Sequence, residues 1–90
     1  MSELRLRADR LHWLEADDEV VALDEQALVY LNANPTGAVL WRALAQGATR
    51  EELVRGLAAE FEVDEATAAV DVDRFLADLD ARGLLERSGA

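Results

Sequence analysis

Tyr30 to Trp41 reads YLNANPTGAVLW, and the hydrophobic period changes inside it. Up to Leu31 the residues are aromatic and β-branched and repeat every second position, as in a strand. From Leu40 the apolar positions recur at helical spacing. Asn34 between the two is a good N-cap, because its side-chain oxygen can accept a helical N–H that has no partner within the helix. Pro35 stands at the first helical position, where its missing N–H costs nothing. The stretch therefore divides the chain into a strand half and a helix half.

Upstream lie three short apolar runs: Leu11-His12-Trp13-Leu14, Val20-Val21-Ala22-Leu23 and Ala27 to Leu31. ADDE at Ala16 to Glu19 and the pair Asp24-Glu25 separate them. Runs this short, joined by about two to six residues, predict an antiparallel meander. Leu4 and Leu6, on either side of Arg5, fit either a further short strand or an ordered arm. Downstream, Leu40, Trp41 and Leu44 share one helix face, and Gly47 closes that helix. Thr49 and Glu52 form a capping box for a second helix, with a stripe of Leu53, Val54, Leu57, Ala58 and Phe61. A third helix starts near Asp64 and runs through Val72, Phe75, Leu76 and Leu79 to Arg82, where Gly83 stops it. Leu84-Leu85-Glu86 either packs back on the core or adds a strand. Strands followed by helices of about 10, 12 and 18 residues predict one α+β domain over 1–90, with its core at about 10–86. A three-stranded antiparallel sheet followed by three helices also has the outline of a winged helix-turn-helix.

Composition narrows the function. The chain has 90 residues, with 19 acidic against 9 basic side chains and a net charge of −10. Every base is Arg. Nucleic acid is a poor partner for such a chain, since phosphate binding draws on clustered positive charge. The acidity reads first as solubility and repulsion between copies, and second as a preference for basic or neutral partners. Without Cys there is no disulfide, thiolate metal site or cysteine nucleophile. MSELRLRADR lacks the apolar core of a signal peptide, and no apolar run approaches the ~20 residues that span a bilayer. A cytoplasmic protein with no membrane partner is expected.

Catalytic signals are weak. His12 is the single histidine, and in a strand it alternates with Leu11 and Trp13, so it points away from the core without a catalytic partner. Asp71, Asp73, Asp78 and Asp80 resemble a metal cluster, but on a helix residues two apart diverge by ~200°. Asp71 and Asp78 share a face two turns apart, too far to hold one ion. A solvated acidic helix face accounts for the run better, and no metal or cofactor is expected. There is no Lys and no glycine-rich phosphate loop. The only serines, Ser2 and Ser88, lie near the ends, which disfavours an acyl carrier with a phosphopantetheine arm.

Binding is what remains. Ala27, Leu28, Val29, Tyr30 and Leu31 carry no charge, Pro or Lys to guard a sheet edge. As an edge strand they would offer free N–H and C=O groups to an extended peptide. As a central or covered strand they would offer nothing, and the residues alone favour neither reading.

Asn34, Thr36 and Gly37, then Leu40-Trp41, Gly47 with Thr49, Asp71-Val72 with Phe75-Leu76 and Leu79, and Gly83-Leu84-Leu85 occur in an order that resembles the PqqD-like proteins. These are the small recognition elements of pathways that make modified peptides on ribosomes. The resemblance covers about residues 10–86. It departs at Ala33, where the family usually has Leu. Aligning Leu31-Asn32 there instead leaves Leu31 facing the helices in both registers. The resemblance implies a non-catalytic domain that captures the leader segment of a precursor peptide as an added strand on its third strand. The cleft is shared with the third helix, and a partner leader peptidase or modifying enzyme then receives the leader. Carried onto this chain, the augmented edge is Ala27 to Leu31, and the helix wall comes from Val70, Asp71, Arg74, Phe75 and Asp78. Arg74 is available to an acidic leader residue, while Phe75 serves mainly the core. A standalone chain of this kind is similar to the recognition proteins of lasso-peptide pathways. A winged-helix DNA-binding module, or a homodimer formed through the same edge strand, is the competing reading.

Overall fold

Period-two patterning up to Leu31 and 3.6-residue patterning after Asn34 are realised as a sheet backed by helices. The computed structural model describes residues 3–88, so Met1, Ser2, Gly89 and Ala90, and with them the reading of Ser2, lie outside it. The order is β1 (Glu3–Leu6), a 3-10 turn (Ala8–Arg10), β2 (Leu11–Ala16), β3 (Glu19–Asp24), β4 (Val29–Ala33), α1 (Pro35–Gln46), α2 (Arg50–Phe61), α3 (Glu65–Ala81) and β5 (Leu85–Ser88). β2, β3 and β4 form an antiparallel meander in that order. β1 pairs with β5 in a separate two-stranded sheet, which answers both questions left open at the chain ends.

The helix boundaries follow their caps. Asn34 Oδ1 accepts the Gly37 N–H at 2.9 Å, with Pro35 directly after it. Thr49 and Glu52 make the reciprocal capping box, and Asp64 accepts the Thr67 N–H at 2.7 Å. At the end of α3 the chain reverses through Gly83 at φ +70°, a conformation costly for any residue with a Cβ. The Leu84 N–H then returns to the Leu79 carbonyl at 2.9 Å.

The inward sides of these elements meet in one core. Val20 and Ala22 from β3, Leu40, Trp41 and Leu44 from α1, Leu53 and Leu57 from α2, and Val72 and Leu79 from α3 are all buried. Leu4, Leu6 and Leu85 close it from the two-stranded sheet, with Leu84 directly before β5. Trp13 and Trp41 pack edge to face, with ring centres 5.7 Å apart. Phe61, expected on the α2 stripe, is 40% exposed. It is the last residue of its helix, and Glu62 follows in the left-handed conformation at φ 55°, turning the chain away from the core.

The third strand of the sequence reading is β4, and it starts two residues later than expected. Ala27 and Leu28 belong to the turn, not to the strand. Asp24 Oδ1 accepts the N–H groups of Gln26 and Ala27, and the Leu28 N–H closes on the Asp24 carbonyl at 2.7 Å. Leu28 itself sits at φ 57°, outside any strand conformation. The strand then continues through Asn32 to Ala33.

Leu44 is fully buried, and Leu44→Ala should lower the unfolding free energy by about 2–5 kcal/mol through lost transfer energy and the cavity left behind. Chemical denaturation followed by circular dichroism measures this.

The acid response has a definite sign. Hydrogen bonds from Arg50 hold the Asp73 carboxyl below its ordinary value of 3.8, Arg87 does the same for Asp80, and the Thr67 backbone for Asp64. Groups depressed in the folded state add stability that is complete above their unfolded pKa and is lost as pH falls through the folded values. The thermal midpoint should therefore hold steady between about pH 7 and 5 and fall below about pH 4. Asp73→Asn combined with Asp80→Asn should make that fall shallower, as thermal scans across the pH series will show.

Candidate functional site

An antiparallel strand sends its backbone polar groups alternately to its two neighbours. The Glu25 N–H bonds the Arg10 carbonyl at 2.8 Å, which makes Arg10 and Glu25 a hydrogen-bonding pair of the β2–β3 ladder. By alternation Val21 and Leu23 face β2, whereas Val20, Ala22 and Asp24 face β4. Val20 pairs with Ala33, Ala22 with Leu31 and Asp24 with Val29. The polar groups of Val29, Leu31 and Ala33 are thus used against β3. Those of Tyr30 and Asn32 point the other way. Since β4 is an edge strand, these N–H and C=O groups are offered outward.

Side-chain parity is the complementary half of that alternation. Leu31 is half-buried and Ala33 is buried toward the helices, while Tyr30 and Asn32 are exposed on the opposite face. Val29 keeps the inward parity but, at the strand's beginning, remains 42% exposed.

Beside this edge runs a groove whose far wall is α3. Its inner part is a hollow of about 140 Å³ bounded by Leu31, Ala33, Trp41, Phe75 and Leu79. Next to it, sharing Asn32, Ala33, Phe75 and Asp78, lies a wider hollow of about 510 Å³, bounded by the Asn34–Gly37 corner, Asp71 and Arg74. Asp71, Arg74, Phe75, Asp78 and Arg82 line the helix side, spaced so that they share one face of α3. The rim alternates in sign. Arg82 lies 3.3 Å from Asp78, whereas Arg74 has no salt bridge among the described residues.

Phe75 reaches the groove because α1 comes unusually near. A Cβ built on Gly37 would lie 3.1 Å from the Phe75 ring and 3.3 Å from the Ala33 Cβ. Gly37 therefore lets the ring pack against the first turn of α1, where it is half-buried and forms the partition between the two hollows. The same crowding accounts for Ala33, because a Leu there would carry three more carbons into the space between Gly37 and Phe75.

Most of the residues expected in the site come together. Tyr30, Leu31, Asp71, Arg74, Phe75 and Asp78 all border the groove. Val29 starts its edge strand, while Ala27 and Leu28 lie in the turn before it. Val70 borders neither hollow and is 56% exposed near the N-terminal end of the same helix. Asn32, Ala33, Thr36, Gly37, Trp41, Leu79 and Arg82 also line the groove and were not anticipated there. Arg82 carried a signal, since it continues the Asp71, Asp78 spacing by one more turn.

Another hollow, of about 520 Å³, lies between α3, the start of α2 and the two-stranded sheet. Its two arginines are committed to fork-like pairs, Arg50 with Asp73 at 2.7 and 2.9 Å and Arg87 with Asp80 at 3.1 and 2.8 Å. Glu51 on its rim has only an exposed 3.7 Å contact with Arg55, so among the described lining residues no unpaired cation is left to select an anionic ligand. His12 is exposed, with Nε2 2.9 Å from the Glu25 carboxylate. Among the described residues no three His, Asp or Glu side chains are grouped to hold a metal ion, and no helix is long and apolar enough to cross a membrane.

A three-stranded antiparallel sheet backed by three helices is an α+β arrangement of the PqqD-like kind. The chain belongs to the PqqD family: the model described as Coenzyme PQQ synthesis protein D (PqqD) matches residues 19–85. No curated protein matches the chain. Among solved structures, TbiB1 in complex with the TbiA(beta) leader peptide is 32% identical, with a TM-score of 0.83 over 96% of this chain and 99% of that one.

Gly37→Val should drive two methyl groups against the Phe75 ring and cost about 1–3 kcal/mol of stability by overpacking. In the Phe75→Ala background the same substitution should cost less. A double-mutant cycle by denaturant unfolding tests this coupling.

Proposed function

We propose that the chain is a non-catalytic recognition element that binds the leader segment of a ribosomally made precursor peptide by adding it as a strand to β4. The observation that carries the reading is the open edge at Tyr30 and Asn32 beside a groove walled by Phe75 and α3. Its likeness to a protein solved with a leader peptide bound supports the ligand class. Peptide residues directly opposite Leu31 and Ala33 would share their inward parity and enter the two hollows at a spacing of two. Apolar leader side chains suit the inner hollow. An acidic one suits the outer, where Arg74 has no salt bridge among the described residues.

The bound leader is then presented to a peptidase or modifying enzyme of the same pathway, as in pathways of the lasso-peptide type. Neither cofactor nor metal is needed for this task. The net charge of −10 and the acids Glu51, Glu52 and Glu65 in the first turns of α2 and α3 oppose nucleic acid as an alternative ligand.

Titration calorimetry with the precursor's leader peptide should give low-micromolar or tighter binding, and no detectable heat would overturn the reading. Tyr30→Pro removes an edge N–H and should reduce affinity by more than about tenfold in a variant whose circular dichroism is unchanged. Arg74→Ala should weaken binding by only about two- to fivefold, as expected of an exposed charge.

A further inference from the structure

α3 is the far wall of the groove, yet its main packing partner is not the strand it faces. It rests chiefly on α2, while α1 is the helix that lies against β3 and β4. The separation of α3 from the edge of β4 is therefore set by a few ties. One is the Phe75 ring seated against Gly37.

At the inner end of the groove the tie is polar. Arg10, the last residue of the 3-10 turn before β2, spreads its guanidinium between acceptors on two elements. Nη1 donates to the Gly83 carbonyl at 3.2 Å, just past α3, and Nη2 lies 3.3 and 3.4 Å from the two Asp24 oxygens. Asp24 Oδ1 in turn accepts the N–H groups of Gln26 and Ala27, in the turn that leads into β4. A continuous chain of hydrogen bonds thus runs from the end of α3, through Arg10 and Asp24, to the start of the edge strand. It is close on the helix side, since a Cβ built on Gly83 would stand 3.2 Å from Arg10 Nη1. It is also sheltered, because the Arg10 and Asp24 side chains are only 21% and 5% exposed and solvent screens them little. Arg10, Asp24 and Gly83 border neither hollow.

We infer that Arg10 is a positioning residue for leader recognition: it holds the C-terminal end of α3 at the separation from β4 that admits the apolar leader side chain entering the inner hollow. The inference rests on the leader-binding reading above and adds to it a determinant outside the groove. Leu79 and Arg82 line the inner hollow within about one turn of Gly83, so a shift of that end moves them directly. Asp71 and Arg74 line the outer hollow roughly three turns from Gly83, and Phe75 anchors α3 between the two. Loss of the tie therefore acts on the inner anchor of the leader and spares the outer one. The tie needs a fork. Arg presents two terminal nitrogens to acceptors on separate elements, whereas a Lys ammonium keeps the charge beside Asp24 but not the span to Gly83.

The test pairs chain variants with leader variants in titration calorimetry. An alanine scan of the precursor's leader on the parent chain first marks the two inward anchors, two residues apart. Coupling to Leu79→Val then identifies the inner one, because Leu79 lines only the inner hollow. Arg10→Lys should weaken binding of the full leader by about three- to tenfold. The loss should shrink to less than about twofold with the leader whose inner anchor is Ala, and persist in full with the leader whose outer anchor is Ala. General destabilisation cannot produce a coupling to one leader side chain that Arg10 does not touch. Leu57→Val, buried on α2 and away from both hollows, is the control, and it should change the binding of every leader by less than about twofold. Should Arg10→Lys not fold, Arg10→Gln combined with Asp24→Asn removes the two charges together and keeps an acceptor for Gln26 and Ala27, and it should give the same pattern. Three results would overturn the inference: undiminished binding of the full leader by the folded variant, a loss that does not single out the inner anchor, or the same coupling from Leu57→Val. Failure of the full leader to bind the parent chain is a different result and strikes the preceding reading instead.

Discussion

One end of the groove depends on a polar junction at Asp24. This carboxylate is almost fully buried, at 3% exposure, and such a group is tolerated only when its lone pairs are occupied. Arg10 reaches both of its oxygens at 3.3 and 3.4 Å, while Gln26 and Ala27 donate their N–H groups to Oδ1. Burial alone would raise the Asp24 carboxyl; the Ala27 and Gln26 hydrogen bonds and the Arg10 charge outweigh it and hold the group below its ordinary range. The other end of the guanidinium donates to the Gly83 carbonyl at 3.2 Å, just beyond α3. One arginine thus ties the start of β2, the end of β3, the turn into β4 and the end of α3. These pieces set how far the edge strand stands from the helix, and so how wide the groove is.

A second constraint acts at the other end of the groove. Gly37 and Ala33 are small for the same reason: the Phe75 ring needs the space between α1 and β4. The Asn-x-Thr-Gly corner therefore does more than begin a helix. Asn34 fixes the first turn of α1 by capping, and the glycine within that turn admits the ring that partitions the groove. Neither residue needs to touch a ligand to matter for its binding.

Division of labour across the sheet follows from strand alternation. The inner parity of β4 goes to the groove, its outer parity to the exposed face of the sheet, and its unpaired backbone groups lie between the two. A peptide added to that edge would acquire the same division. The acidity of the chain supports such a role by keeping copies apart and leaving the open edge to something less negative.

Local chemistry made the helices legible in the sequence by itself. Asn34, Pro35, the Thr49–Glu52 box, Asp64 and Gly83 each act within a few residues of where they stand, so their effects could be read directly. The α+β order, the inward parity of Leu31 and the apolar face of α3 were legible for the same reason, since period and parity are local patterns. Tertiary structure alone decided the rest. Leu28 takes a left-handed conformation because Asp24 gathers the turn beneath it, and Asp24 is held by Arg10, 14 residues away. β1 finds β5 across 79 or more residues of chain, a pairing that four-residue strands could not announce. The edge position of β4, on which the whole functional reading turns, depends on which strands lie beside it, and no pattern within a strand records its neighbours.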